Sequence, residues 1–217
     1  MNKIAALQEV EALFAGGLTY MIGGFLAVGT PERLVDMLIS KGVQDITLIA
    51  NDTGFIDKGI GKLIVNKRVK KAIVSHIGTN AESGRQMHDG QIQMELVPQG
   101  TLAERIRCGG AGLGGILTPT GVGTMVETGK ERKEINGKIY LLELPLRADI
   151  ALIKAWKADL SGNLVFRRSA RNFNPLMAMA ADLVVVEAEE ICETGALDPD
   201  EVMTPGILVD MIIPSKD

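Results

Sequence analysis

Apolar residues along the chain follow two rhythms, a helical period and short unbroken runs, and the two alternate. Near the start, Ile4, Leu7, Leu13 and Phe14 fall on a helical period, with Gly16-Gly17 behind them as a stop signal. TYMI is a short run of the kind that forms a buried strand, and GGFLAVGTP after it is a loop. Thr30 is placed to cap a helix with Pro31 in its first position. Leu34, Val35, Leu38 and Ile39 form the stripe of that helix, and Gly42 lies just past its end. DITLIA, KKAIVSH and IQMELV are further strands, and TLAERIRC is a short helix. KEINGKIYLLEL predicts a hairpin with Asn136-Gly137 as a type I′ turn. IALIKA and NLVFR form a second strand pair around Ser161-Gly162-Asn163. Asn174 is predicted to cap NPLMAMAA with Pro175 in the first helical position, and DLVVVEA and ILVDMII close the chain as strands.

Strand-helix-strand alternation with short apolar strands predicts an α/β fold with a mostly parallel central sheet, made mixed by the hairpins of the second half. No linker, low-complexity tract or internal repeat is visible, so residues 1–217 are expected to form a single domain.

Composition changes this picture in three ways. Glycine is frequent, 25 residues, and eight of them fall between Gly100 and Gly123, where a regular element throughout is excluded. They are expected where backbone approaches a ligand or a partner chain. Aromatics are only 4%, which fits a core of Val, Ile, Leu, Ala and Met. Mean hydropathy is +0.18, yet no apolar stretch is long enough to span a bilayer, so a buried subunit interface is the expected use of the surplus and no membrane association is expected. A net charge of −4 argues against a non-specific nucleic-acid binder. Cys108 and Cys192 make no disulfide framework, and MNKIAALQEVEALF lacks the apolar core of a signal peptide; a cytoplasmic setting is expected.

Most chemical motifs fail. Gly110-Ala111-Gly112-Leu113-Gly114-Gly115 matches G-x-G-x-x-G, but it follows a helix instead of opening one. There is no P-loop and no nucleophile elbow. His76 and His88 have no Cys or His at ligand spacing, so no metal is expected, and His76 reads as a satisfied or exposed residue at a strand end. Arg105 with Arg107, and Arg167 with Arg168 and Arg171, are either solvated faces or local positive charge for a phosphate-bearing ligand. The remaining signal lies at strand ends. Gly23, Gly24 and Gly29 follow TYMI, Asn51 ends DITLIA, and Gln99 follows IQMELV. In an open α/β sheet ligands bind beyond the carboxyl ends of the strands, and neutral amides there can hold a carboxylate or thioester oxygen.

These residues carry a resemblance. TYMIGGFLAVGTP resembles the signature of family I coenzyme A transferases, and ITLIANDTG, IVNKRVKKAIVSHIGTN, LVPQGTLAERIRCGGAGLGG, LTPTGVGT, LLELPLRADIALIKA and ARNFNPLMAMAAD resemble their alpha subunits, in order, from about Leu13 to Pro205. Gly16-Gly17 stands where the family often has Asp/Asn-Gly, and Tyr20 where it has a smaller residue. The resemblance implies an open three-layer fold and an α2β2 assembly with a beta subunit. It implies coenzyme A thioesters and short-chain carboxylic acids as substrates, with no permanently bound cofactor. It implies a ping-pong reaction through an acyl-glutamyl anhydride and a glutamyl-CoA thioester, with the glutamate on the beta subunit in an E-N-G-type motif. Glu134-Ile135-Asn136-Gly137 has an extra residue, and Glu143 and Glu187 read as structural or surface residues, so no nucleophile is expected in this chain. By resemblance, Gly23, Gly24, Phe25, Leu26, Ala27, Val28 and Gly29 form a CoA-binding or acyl-facing loop, and Asn51 and Gln99 hydrogen-bond the reacting carboxyl group. Two other readings remain. One is a sugar-phosphate isomerase or sensor module using Asp52 and Thr53; the other is a purely structural partner subunit.

Overall fold

A computed structural model describes residues 2–216. After α1 (Leu7–Leu13), three strand-helix units follow: β1 (Thr19–Ile22) with α2 (Glu32–Ser40), β2 (Ile46–Ile49) with α3 (Gly61–Val65), and β3 (Val69–Val74) with α4 (Ala81–His88). Next come β4 (Gln93–Leu96), α5 (Gln99–Gly110), β5 (Ile116–Thr118), β6 (Arg132–Ile135), β7 (Lys138–Glu143), β8 (Ala148–Asp159) and β9 (Leu164–Val165). The chain ends with α6 (Asn174–Met179), β10 (Ala181–Cys192) and β11 (Met211–Pro214).

The main sheet runs β11-β10-β8-β1-β2-β3-β4, every neighbouring pair parallel, and β9 joins β8 antiparallel. Parallel strands must return through crossovers, and here these cover both faces. Tyr20, Ile22, Leu48 and Ala72 point to one face and meet Val10 of α1, Phe14 just past its end, Leu34 and Leu38 of α2, and Leu63 of α3. Met21, Ile49 and Ile73 alternate to the other face and meet Leu102 and Ile106 of α5 and Met177 of α6. The fold is therefore three-layered α/β, as the alternation predicts. Tyr20 packs edge-on to Phe14 with ring centroids 6.3 Å apart, and its hydroxyl donates to the Ala15 carbonyl at 2.9 Å, so the larger residue is absorbed in the core.

Several local expectations need correction. Ile4 is not helical; it bridges Ile212. The Asn136-Gly137 hairpin forms, with φ of +52° and +74°, but β6 and β7 join β5 in a separate antiparallel sheet, and the main sheet is mixed only through β9. Residues 207–209 lie before β11, partly in a 3₁₀ turn, because the strand starts only at Met211. In the glycine-rich stretch, Gly100, Gly109 and Gly110 belong to α5. A Cβ on Gly109 would lie 2.0 Å from the Leu146 carbonyl oxygen, so the closeness there is to the chain's own backbone, not to a ligand.

Thr30 does not cap α2. Pro31 occupies the cap position, and the Thr30 hydroxyl is buried without a hydrogen-bond partner among the described residues. The orphan N–H groups are met from far away in sequence: Arg33 N and Leu34 N donate to the Glu187 carboxylate of β10, at 2.8 and 3.4 Å. Glu187 is 2% exposed, with Lys154 Nζ 3.9 Å away. Burial pushes its carboxyl above the ordinary value of 4.5; Lys154 and the two N–H groups only partly offset this. The folded protein thus holds this proton more tightly than the unfolded chain. Stability from this group is fully present below 4.5 and is lost as pH rises through the raised folded value. The unfolding free energy of the wild type relative to Glu187→Gln is expected to decline as pH rises above 4.5. A flat or rising difference in urea titrations contradicts this.

Candidate active site

The order of the strands fixes where a site can lie. From β1 the chain steps outward through β2, β3 and β4, then returns to place β8, β10 and β11 on the other side. Strand order reverses at β1, and a crevice opens there beyond the carboxyl ends. The segment leaving β1 is Gly23–Gly29. Phe25 N donates to Val28 O at 3.0 Å and Val28 N to Phe25 O at 2.9 Å, closing a two-residue turn in which Leu26 and Ala27 have φ of +47° and +66°. Side chains rarely adopt that region, and each such residue costs on the order of 1 kcal/mol. The turn is held by its surroundings: Leu26 N donates to the Asp52 carboxylate at 2.9 Å.

A second turn with the same residue spacing lies beside it. Gly54-Phe55-Ile56-Asp57-Lys58-Gly59 repeats the G-F-x-x-x-G spacing of Gly24 to Gly29, follows β2 as the first follows β1, and pairs Phe55 with Lys58. A Cβ on Gly59 would lie 3.4 Å from Ala27 Cβ, so the turns touch. The sequence thus holds a short repeat that was not expected. Phe25, Val28, Phe55 and Ile56 are exposed at the tips.

Asn51 and Gln99 come together as expected. Gln99 Nε2 donates to Asn51 Oδ1 at 2.7 Å, and Asn51 Nδ2 donates to Asp52 Oδ2 at 2.6 Å. Asp52 also accepts from Gly54 N at 2.7 Å and Leu26 N at 2.9 Å. Ser75 Oγ donates to the Asn51 carbonyl at 2.7 Å. Asn51 and Asp52 are 2% and 3% exposed, whereas Gln99, the first residue of α5, is exposed. Phe25, Leu26, Asn51, Asp52, His76 and Gln99 surround a cavity of about 370 Å³. A buried carboxylate with three donors fixes the asparagine, the asparagine fixes the glutamine, and the second amide hydrogen of Gln99 remains free to serve the cavity.

Sequence reasoning passed over Asp52 in this role, and also Ser75 and His76. The signal was available: β3 lies between β2 and β4, so the residues just past its end had to fall between Asn51 and Gln99. It also misplaced Asn174, which is not a cap but the first residue of α6. Asn174 is fully buried; its Oδ1 accepts from Lys154 N of β8 at 3.0 Å, and its Nδ2 donates to Gly29 O at 3.0 Å and Ala170 O at 2.9 Å. A Cβ on Gly23 would lie 1.8 Å from that Oδ1, so only glycine fits there. Asn172 assists, accepting from Gly24 N at 3.2 Å and donating to Val28 O at 2.9 Å.

Other candidates fall away from the cavity. Glu134 lies in the exposed hairpin, Glu143 is buried against Lys130 at 2.5 Å, and Glu187 caps α2. Thr53, which the sugar-phosphate reading needs, is fully buried with its Oγ1 accepting from Ser83 Oγ at 2.8 Å. Arg105 is structural, donating to Leu144 O and Glu95 Oε1 at 2.8 Å each, and Arg107 pairs with Glu104 at 2.7 Å. Gly110 to Gly115 ends α5 and enters β5 without opening a helix, so it is no dinucleotide fingerprint. Among the described residues no group of three or more His, Cys, Asp or Glu is arranged to hold a metal, and no helix is long and apolar enough to cross a membrane.

Asp52→Asn is nearly isosteric but turns an NH2 group toward N–H donors. It is expected to cost about 1–3 kcal/mol for the unmet groups, read as a lower urea midpoint. An unchanged midpoint would show that Asp52 does not anchor the turn.

The chain is similar to several known proteins along its length. The alpha subunit of acetate CoA-transferase from Escherichia coli is 59% identical over 100% of this chain and 98% of its own length. The alpha subunit of acetoacetyl-CoA:acetate/butyrate CoA transferase from Clostridium acetobutylicum is 49% identical over 98% of this chain and 97% of its own. Among solved structures, an acyl-CoA transferase from Escherichia coli O157:H7 superposes with a TM-score of 0.86 at 22% identity, over 98% of this chain but only 47% of that longer one. Glutaconate coenzyme A-transferase from Acidaminococcus fermentans gives 0.83 at 20% identity, over 98% of this chain and 75% of that one. The family described as Coenzyme A transferase matches residues 4–215, and on that match, with relatives of such identity along its whole length, this chain belongs to the coenzyme A transferase family.

Proposed function

We propose that the chain is the alpha subunit of a two-subunit enzyme that moves coenzyme A between a short-chain acyl-CoA and a short-chain carboxylate. The acetyl, butyryl and acetoacetyl groups are the expected acyl groups, after the names carried by its relatives. The observation that carries the reading is the hydrogen-bonded row Gln99–Asn51–Asp52 on a cavity that no glutamate of this chain lines. That is half of an acyl-transfer site: donors for an oxyanion, without the nucleophile.

The partner's glutamate would then enter over the cavity. Its carboxylate oxygen attacks the thioester carbonyl, the C–S bond breaks, and CoA leaves as thiolate with an acyl-glutamyl anhydride formed. The thiolate attacks the glutamyl carbonyl, a C–O bond breaks, and the first acid leaves as carboxylate. A second carboxylate accepts CoA from the glutamyl thioester by the same two steps reversed. Each addition puts negative charge on a carbonyl oxygen, and the free Gln99 amide hydrogen is the group this chain offers to it. Its orientation is set in advance by Asn51 and Asp52, so little reorganisation is needed when charge develops. The Gly23–Gly29 turn brings Phe25 and Leu26 to the same cavity and is the proposed wall along the acyl chain and the CoA arm.

Gln99→Ala is expected to lower kcat of the reconstituted complex by about 10²–10³ while leaving the unfolding transition in place, because Gln99 is exposed. Full turnover in acetoacetyl-CoA:acetate transfer would end the assignment. Mixing decides the division of labour: neither subunit alone should transfer CoA. An active lone partner would make this chain a structural subunit, and an active lone chain would contradict the missing nucleophile.

A further inference from the structure

A second cavity, of about 340 Å³, lies on the other side of the Gly23–Gly29 turn. Val28 and Gly29 form one wall, and Lys154, Trp156, Arg167 and Arg168 form the rest. Among the described residues, its two arginines lack the carboxylate partner that five other arginines of the chain have. Arg85, Arg105, Arg107, Arg132 and Arg147 each pair with a carboxylate. Arg167 and Arg168 pair with none among the described residues. The one acid in the cavity, Glu189, is met by Lys154 at 3.2 Å, which leaves both arginines uncompensated in a protein of net charge −4.

The Arg167 side chain and the Arg168 backbone are also restrained. The Arg167 guanidinium stacks over the Trp156 ring, 5.4 Å from its centroid. Arg168 has φ of +53°, a region that costs a side-chain-bearing residue energy and that persists here inside a tied segment. The tie is Asn172, whose Nδ2 faces Ser169 O at 3.0 Å and Val28 O at 2.9 Å. One asparagine thus clamps the arginine segment to the turn whose other end, Phe25 and Leu26, lines the Asn51–Gln99 cavity.

We infer that Arg167 and Arg168 bind the phosphoryl groups at the nucleotide end of coenzyme A, with the Gly23–Gly29 turn lying between that end and the thioester. The inference rests on the transferase reading and adds to it the place of the ligand's far end. Guanidinium groups suit phosphate because they offer several N–H donors in one plane and stay charged.

The test uses the complex with its partner subunit. Calorimetric titrations of CoA, dephospho-CoA and pantetheine are compared between wild type, Arg167→Gln/Arg168→Gln and Arg167→Lys/Arg168→Lys. The Gln pair is expected to weaken CoA about tenfold or more, the scale of one lost charge-assisted contact, and to shrink the advantage of CoA over pantetheine by the same factor. The Lys pair should restore much of it. If dephospho-CoA loses as much as CoA, the contact is to the diphosphate; if it loses nothing, the contact is to the 3′-phosphate. Equal losses for CoA and pantetheine, or none, would overturn the inference, as would a folded Gln pair that no longer joins its partner. In the wild type, adenosine 3′,5′-bisphosphate should compete with CoA; failure to compete would overturn it without any variant. Arginine-dependent CoA binding without transfer in any mixture would sink the transferase reading alone. Transfer with arginine-independent CoA affinity would sink only this one.

Discussion

The fold turns on a crowded junction at the end of β1, filled by the buried Asn174 side chain. Parallel strands leave β1 in both directions across the sheet, so the chain must exit there between β8 and β2. The exit residue, Gly23, has no room for a Cβ, because the Asn174 amide fills the space. That amide answers Lys154 N on one side and Gly29 O and Ala170 O on the other. All are backbone groups in a water-poor junction, where an unmet donor or acceptor costs about 1–3 kcal/mol. One buried amide therefore fixes β8, the turn after β1 and the segment before α6 relative to one another. The two cavities lie on either side of the turn so fixed.

A second constraint works on the same turn from the opposite side. Leu26 and Ala27 sit in a backbone region that suits glycine, and no glycine stands at either position. Asp52 compensates by accepting from Leu26 N, and its remaining capacity goes to Gly54 N and Asn51. The carboxylate thus has three of its roughly four acceptor positions occupied. It would make a poor nucleophile, since attack would require giving up these bonds. The same bonds make it a good fixed charge from which a row of neutral amides can be oriented. This is a physical reason why Asp52 is not the reacting carboxylate.

Much of the fold is legible in sequence because it rests on local signals. TYMI and DITLIA are apolar runs of strand length, and Asn136-Gly137 fits one turn type by its own backbone preferences. Asn51 and Gln99 are legible because strand ends in an open sheet share an edge. What was misread depends on partners distant in sequence. Thr30 and Asn174 both have cap-forming residue types before a helix, yet the caps do not form. Glu187, more than 150 positions downstream, serves α2 instead, and the Asn174 amide is drawn into the junction. Composition misled in the glycine-rich stretch as well. Gly109 and Gly110 are small because Leu146 and Met179 pack against α5.

The two arginine clusters make the same point about charge. Arg105 and Arg107 look in sequence like Arg167 and Arg168, yet the first pair is neutralised by Glu95 and Glu104 and the second is not. A solvated arginine gains little from an exposed partner, so absence of a partner alone means little. What separates Arg167 and Arg168 is restraint: one is stacked on Trp156, and the other is held at positive φ in a segment tied to the turn. Holding the Arg167 side chain on Trp156 with a second cation next to it in sequence, and no counter-charge, is unfavourable in entropy and in mutual repulsion. Such an arrangement is stabilised most by an anion that arrives from outside. The fold places that vacancy of charge one turn away from the cavity that Asn51 and Gln99 line.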